Sequence, residues 1–223
     1  ERLIAKALAA YPKDAFEIVV ATKGGLMRPQ GDWIVNGDPK HLEKTIRESF
    51  EALGGERPIP LWQLHAPDSR VPIEESLQPV REAVDQGLIR FVGLSNVSVK
   101  EIERARKVVE VVSIQNQYNP WDRDPEKNGV LKYCEKEGLT FLPWSPLGGS
   151  RRVSKLGQIP PIADMAREKG VSPQRLVLAW MLAKSPCMVP IPGASRIQSI
   201  EDSAAATEVV LNQEEIHRLE EGL

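Results

Sequence analysis

Short, unbroken apolar runs alternate along this chain with longer segments in which apolar residues recur every three or four positions, a pattern that predicts strands alternating with amphipathic helices. Six runs read as strands: 18–22, closed by Lys23; 61–64, closed by His65; 89–96; 111–115; 139–144; and 188–193. A run without polar alternation is expected to be buried on both faces, so the residue that closes it should point into the loops at the strand's carboxyl end. The helices carry their own punctuation. Residues 1–10 place Leu3, Ile4, Ala7 and Leu8 on one face, with no cap or preceding strand. Asp38 and Pro39 predict an N-cap and a first-turn proline for a helix striped by Leu42, Ile46, Phe50 and Leu53 and stopped at Gly54-Gly55. A helix over 73–86 should bend or start late at Pro79 and end at Gly87. Ser98 with Glu101, and Asn212 with Glu215, read as capping boxes. Further helices are expected over 129–136, 162–169, 173–184, 195–206 and 213–221, the third-last of these burying Leu176, Ala179, Trp180 and Ala183. The 26–37 connection, which contains Trp33, is longer than a structural link needs and points to function.

Strands joined by helical crossovers predict an α/β fold with a parallel sheet, either open and doubly wound or closed into a barrel. No GxGxxG follows any strand, so the dinucleotide fingerprint of the open sheet is missing and closure fits better. A (β/α)8 TIM barrel typically needs about 250 residues. The chain, at 223 residues, is therefore expected to cover about six of the eight strands, the missing strand-helix-strand portion preceding Glu1. Without a linker or low-complexity tract, residues 1–223 read as a single barrel domain, incomplete at its N-terminus.

Composition narrows the partners. At 41% hydrophobic and 27% charged the chain can bury a sizeable core, and a net charge of -2 gives no electrostatic case for nucleic acid or an anionic membrane. Cys134 and Cys187 stand at unrelated spacing with no histidine nearby to make a metal pair. They read as buried free thiols, which suits a reducing cytoplasm, and no metal site is expected. No apolar run approaches the roughly 18 residues of a membrane span.

The chemistry gathers at the strand ends. Lys23 and His65 put two proton-active groups where parallel barrels do their work. Thr22-Lys23-Gly24, Gln63-Leu64-His65, Gly93-Leu94-Ser95-Asn96, Gln115 through Tyr118-Asn119-Pro120, Trp144-Ser145-Pro146-Leu147-Gly148 and Ile191-Pro192-Gly193-Ala194-Ser195-Arg196 together resemble, in order, the strand-end motifs of the aldo-keto reductases. The resemblance spans nearly the whole chain. It implies a (β/α)8 barrel that reduces an aldehyde or ketone with a nicotinamide cofactor, NADPH rather than NADH, bound extended without a Rossmann domain. Of that family's catalytic Asp, Tyr, Lys and His, Lys23 and His65 match the last two, and the Asp and Tyr are expected upstream of Glu1. Tyr11, Tyr118 and Tyr133 stand at the wrong places in the pattern to replace the missing phenol.

The resemblance also implies roles. Lys23 would lower the pKa of a phenol, and His65 would orient the carbonyl oxygen. Ser95, Asn96 and Gln115 would hold the nicotinamide carboxamide, Trp144 would stack on the ring, and Ser145, Leu147 and Gly148 would follow the pyrophosphate. Gly193, Ser195 and Arg196 open the helix after the last strand, where amides and a guanidinium favour an anion, the 2'-phosphate of NADPH. A surface arginine is the plain alternative for Arg196. Trp33 and Trp121 could line a substrate pocket or equally brace their loops. Two other functions stay open: a barrel lyase that forms a Schiff base on Lys23 with Arg196 on a substrate phosphate, and a non-catalytic sensor of nicotinamide nucleotides. The intact protein is expected to be a cytoplasmic monomer acting on a small carbonyl compound.

Overall fold

The computed structural model describes residues 1–11 and 18–223. The chain divides into two compact units, Glu1–Ile114 and Gln115–Leu223. The first contains α1 (Arg2–Ala9), β1 (Ala21–Gly24), β2 (Leu26–Met27), β3 (Ile34–Val35), α2 (Pro39–Ala52), β4 (Ile59–Leu64), α3 (Ile73–Ser76), α4 (Gln78–Asp85), β5 (Ile89–Ser95) and α5 (Val99–Ala105), and closes in β6 (Val111–Gln115), whose last residue opens the second unit. The strands run in the order β1-β4-β5-β6, with β1 parallel to β4 and β4 parallel to β5.

Local chemistry sets most of these boundaries. Asp38 accepts a hydrogen bond from His41 N at 2.9 Å, Pro39 fills the first helical position, and α2 buries Leu42 and Ile46 while Phe50 and Leu53 stay half-buried. The helix expected over 73–86 is two helices, α3 and α4, broken at Leu77 where Pro79 opens the second. Both capping boxes form, Ser98 with Glu101 and Asn212 with Glu215.

One expectation needs correction here, and two gain detail. The first strand does not occupy 18–22: β1 begins at Ala21, and Ile18 and Val19 are exposed. β1 is outermost in the sheet and pairs on one side only among the described residues, so nothing there covers the start of the run. α1 forms as read, but its apolar face is open, with Leu3 80% exposed. The 26–37 connection is an ordered antiparallel hairpin, pairing Leu26 with Val35 and Met27 with Ile34 around a 3-10 turn at Pro29–Gly31.

Register decides which residues share a face. Lys23 pairs with Gln63 and Gln63 with Gly93, so their side positions line one face of the sheet, with His65 and Ser95 one step further on. That face is tight: a Cβ on Gly93 would come within 2.3 Å of Ser113 Oγ and 3.1 Å of the Gln63 side chain. The opposite face carries Trp62, fully buried against Gly24, where a Cβ would lie 2.5 Å from the indole.

The second unit contains α6 (Asp124–Lys127), α7 (Val130–Glu137), β7 (Thr140–Phe141), α8 (Pro160–Lys169), α9 (Pro173–Lys184), α10 (Ile197–Ala204) and α11 (Gln213–Glu221). The run 139–144 pairs as a strand only over β7, with Trp144 in a parallel bridge to Gln117. The run 188–193 makes no strand: Met188 bridges Phe141, and Val189 N and Ile191 N donate to Phe141 O and Pro143 O at 2.8 and 3.3 Å. Pro190 and Pro192 have no N–H to offer a ladder, which is why this run stays a half-paired edge. Helix α10 starts at Ile197 rather than 195 and passes into a 3-10 turn, Ala205–Glu208. Helix α9 buries the six consecutive residues from Leu176 to Met181 rather than one stripe, and Ala183 is exposed. A short helix, α6, for which the sequence pattern predicted no element, precedes α7.

Candidate active site

In the first unit the carboxyl ends of β1, β4 and β5 bring Lys23, His65, Ser95 and Asn96 to the same end of adjacent strands. His65 N donates to Gly24 O at 2.9 Å, which ties the two strand ends together. Burial holds the Lys23 amine below its usual pKa. Burial, followed by the Lys23 charge, holds the His65 imidazole below its own. A histidine shifted down in this way is neutral at pH 7 and keeps one ring N–H to donate. Asn96 Nδ2 donates to His65 O at 3.0 Å and lies 3.2 Å from Ser95 Oγ.

Asn96 takes this position in the left-handed region, at φ 57°. Among the described residues only three non-glycines have positive φ, and Ser145 at φ 49° is another. Both were named as cofactor-binding candidates. Strained backbone of this kind persists only where surrounding contacts over-determine it, and it clusters at binding sites.

In the second unit Gln115 is buried at 4% exposure. Trp144 N donates to Asn116 O at 3.1 Å, leaving the indole half-buried. Ser145, Leu147 and Gly148 form a turn closed by Gly148 N donating to Ser145 O at 2.9 Å. Gly148 has φ 77° and presses on Trp121, whose ring a Cβ there would meet at 2.5 Å. Trp121 thus packs on the turn while remaining 37% exposed, and the Arg152 guanidinium lies 5.6 Å from its ring centroid. Gly193, Ser195 and Arg196 form an exposed stretch, Arg196 at the N-cap of α10. In the first unit Trp33 lies 6.1 Å from the His65 ring, centroid to centroid.

Tyr118 is fully buried, stacked on Trp180 at 5.8 Å, with its hydroxyl donating to Glu126. Burial, with Glu126 beside it, pushes the phenol far above its usual pKa, so it serves as a structural group and no proton donor. Tyr11 is 64% exposed beyond the end of α1.

Sequence reading gave no role to three polar residues that organise these surroundings. Asn119, with no exposed surface, donates from Nδ2 to Ser145 O at 3.2 Å and accepts from Trp121 N at 3.1 Å, so it joins the two candidate loops of the second unit. Asp68 and Arg70 form a buried-to-exposed ion pair at 2.8 Å in the loop after His65. Asn119 lies inside a strand-end motif, and Asp68 and Arg70 follow another within a few positions; that placement was the available signal. Among the described residues no group of His, Cys, Asp and Glu could hold a metal ion, and no helix is long and apolar enough to cross a membrane.

Comparison with known proteins gives the frame for these residues. The profile of the Aldo/keto reductase family matches residues 1–223. An uncharacterized oxidoreductase of Schizosaccharomyces pombe is 37% identical over 99% of this chain and 69% of its own length. A pyridoxine 4-dehydrogenase of Escherichia coli is 29% identical over 98% of this chain and 76% of its own. Among solved structures, a thermostable aldo-keto reductase in complex with the inhibitor epalrestat superposes with a TM-score of 0.83 at 30% identity, covering 99% of this chain and 76% of that one. An aldo/keto reductase from Klebsiella pneumoniae in complex with NADP and acetate gives a TM-score of 0.83 at 22% identity, over 99% of this chain and 74% of that one. The α/β fold is that of the (β/α)8 barrel reductases. The chain belongs to the aldo/keto reductase family and is an NAD(P)H-dependent oxidoreductase.

Proposed function

We propose that this protein reduces an aldehyde or ketone to the alcohol with NADPH, the carbonyl oxygen being held at His65 beside Lys23. The observation that carries this reading is the pairing of β1 with β4, which sets the Lys23 charge close enough to depress the His65 imidazole. When bound, the reduced nicotinamide supplies the hydride. A neutral His65 donates its ring N–H to the carbonyl oxygen, and the Lys23 ammonium, its pKa lowered by burial, stabilises the negative charge that grows there, gives up the proton that completes the hydroxyl and is recharged from water. Asn96 Nδ2, bonded to His65 O, keeps the imidazole's backbone in place for that donation.

The donor set suits the cofactor. Ser95, Asn96 and Gln115 offer the mix of donors and acceptors a carboxamide needs, Trp144 offers a half-open indole face, and Ser145, Leu147 and Gly148 offer a turn with small side chains. Gly193, Ser195 and Arg196 stand at a helix N-terminus, where an anion such as a 2'-phosphate is favoured. NADP in the Klebsiella pneumoniae relative supports the same choice. Trp33 and Trp121 are assigned to the substrate side. We place this activity in a reducing, cytoplasmic setting, which the two free thiols Cys134 and Cys187 suit, and in a monomer. Family membership sets aside the Schiff-base lyase reading.

The test is loss of reduced-nicotinamide absorbance on adding a panel of aldehydes and ketones to the protein with NADPH, then NADH. Carbonyl-dependent oxidation, faster with NADPH at low cofactor, is expected. Oxidation of neither cofactor with any carbonyl would overturn the reading.

A further inference from the structure

A closed circuit of contacts runs beside His65 in the first unit. The loop after β4 carries Asp68, its side chain only 4% exposed. Every approach to its carboxylate is taken by a donor: Gly37 N at 3.0 Å, Arg70 N at 3.0 Å, Arg70 Nε at 2.9 Å and Arg70 Nη2 at 2.8 Å. Arg70 Nη2 donates again, to Val35 O at 2.9 Å. Val35 ends β3, two residues beyond Trp33. Gly37 is gripped from its other side by Ser76 Oγ, which donates to Gly37 O at 2.8 Å. A side chain there has no room, since a Cβ would lie 2.7 Å from Asp68 Cβ. The Trp33 indole closes the circuit, 6.1 Å from the His65 ring and tilted by 58°.

Trp33 is 61% exposed, so core packing does not fix it. What fixes it is the hairpin on which it stands and the Arg28 guanidinium, 4.5 Å from its ring centroid. A two-residue ladder is a weak support by itself, because isolated hairpins are marginal in water. The fork of Arg70, bidentate on a buried carboxylate, is a stiff one.

We propose that Asp68 and Arg70 are positioning residues that hold the Trp33 indole against His65 as one wall of the carbonyl pocket, selecting carbonyls with a flat apolar substituent such as an aryl aldehyde. An indole face rewards a planar apolar neighbour and gives nothing to a small aliphatic aldehyde. The proposal rests on the reading of His65 as the carbonyl-binding group. Arg70, 70% exposed, can be replaced without opening the core.

The experiment is a double-mutant cycle of R70A, W33A and R70A/W33A in the full chain, with Arg70→Lys as the conservative variant. Two signals are read: the His65 ring resonances in histidine-labelled protein, assigned by comparison with His65→Gln, and steady-state kinetics with an aryl and a small aliphatic aldehyde. R70A should move the His65 resonances toward their W33A position and add no further shift in the W33A background. It should raise KM for the aryl aldehyde about tenfold with kcat kept, leave the aliphatic KM alone, and be partly rescued by Arg70→Lys. Unmoved resonances in R70A, or an equal shift in both backgrounds, overturn the clamp. If no carbonyl is reduced by the wild type while the resonances show the coupling, the carbonyl reading and the substrate preference fall and the clamp stands. If reduction proceeds but R70A changes neither signal, the clamp falls and the carbonyl reading stands.

Discussion

Lys23 and His65 illustrate how two ordinary side chains acquire chemistry from their neighbours. Lysine at a strand end normally reaches water, but here burial lowers its pKa, and its charge in turn adds to the burial that lowers His65. Lys23→Met should therefore do two things. Turnover should fall by roughly two to four orders of magnitude, the usual contribution of a lost acid-base group, with cofactor affinity kept. The His65 pKa, followed by NMR titration, should rise toward the ordinary value near 6.5 because one of its two depressing causes is gone. A mutant with unchanged turnover and an unmoved imidazole would remove Lys23 from the mechanism. Arg196 tests the other end of the reading. Losing one charge-assisted contact to phosphate costs about 1.5–3 kcal/mol, so Arg196→Ala should weaken NADPH roughly ten- to a hundredfold and leave NADH nearly unchanged. Equal weakening of both, measured by fluorescence titration, would make Arg196 a plain surface residue.

At the scale of elements, the sheet shows how closely its face is filled. Gly93 on β5 sits between Gln63 on β4 and Ser113 on β6, with a Cβ 2.3 Å from a buried hydroxyl. Gln63 and Ser113 are themselves buried, so neither has solvent to retreat into. Gly93→Ala should cost about 1–3 kcal/mol by overpacking, seen as a lower midpoint in urea with little change in slope. A neutral result would mean that this layer relaxes more freely than its close contacts suggest. The hairpin β2–β3 makes the opposite point. Its length read from sequence as more than a structural link needs; that Leu26 pairs with Val35, and that Arg70 bonds Val35 O from 35 residues away, no local pattern announces.

For the molecule as a whole, several carboxylates are held below their usual pKa by cations and amides that only the folded chain supplies. Arg104, bonded to Glu74 Oε1 at 2.7 Å, brings Glu74 down to about 2, and Arg70 holds Asp68 lower still. In the second unit burial works against the Glu126 carboxylate, yet the hydrogen bonds from Arg123 and Tyr118 keep its pKa lowered. A depressed carboxylate stabilises the fold above its unfolded pKa and loses that contribution as pH falls through its folded one. His65, also depressed, is protonated more readily in the unfolded chain, so acid below about pH 6.5 already favours unfolding. The melting temperature should thus fall from neutrality, gently between about pH 6.5 and 4 and steeply from about 4 toward 2. Asp68→Asn should flatten the steep limb. A melting temperature constant over that range would contradict the paired carboxylates.

Much of this was written in short stretches of sequence. The caps at Asp38, Ser98 and Asn212, the break before Pro79 and the span of β6 each depend on a handful of neighbouring residues, whose covalent chemistry limits the backbone to few choices. Lys23 and His65 were legible for the same reason, as polar endings of apolar runs. Tertiary structure alone decided that 188–193 pairs too sparsely to be a strand and that Tyr118 is committed to Glu126. It also set Asn96 at positive φ with its amide on His65 O, and it brought Asp68 to Gly37. Each of these depends on which distant residues meet, and a sequence pattern with a period of two or of 3.6 carries no information about a partner thirty positions away.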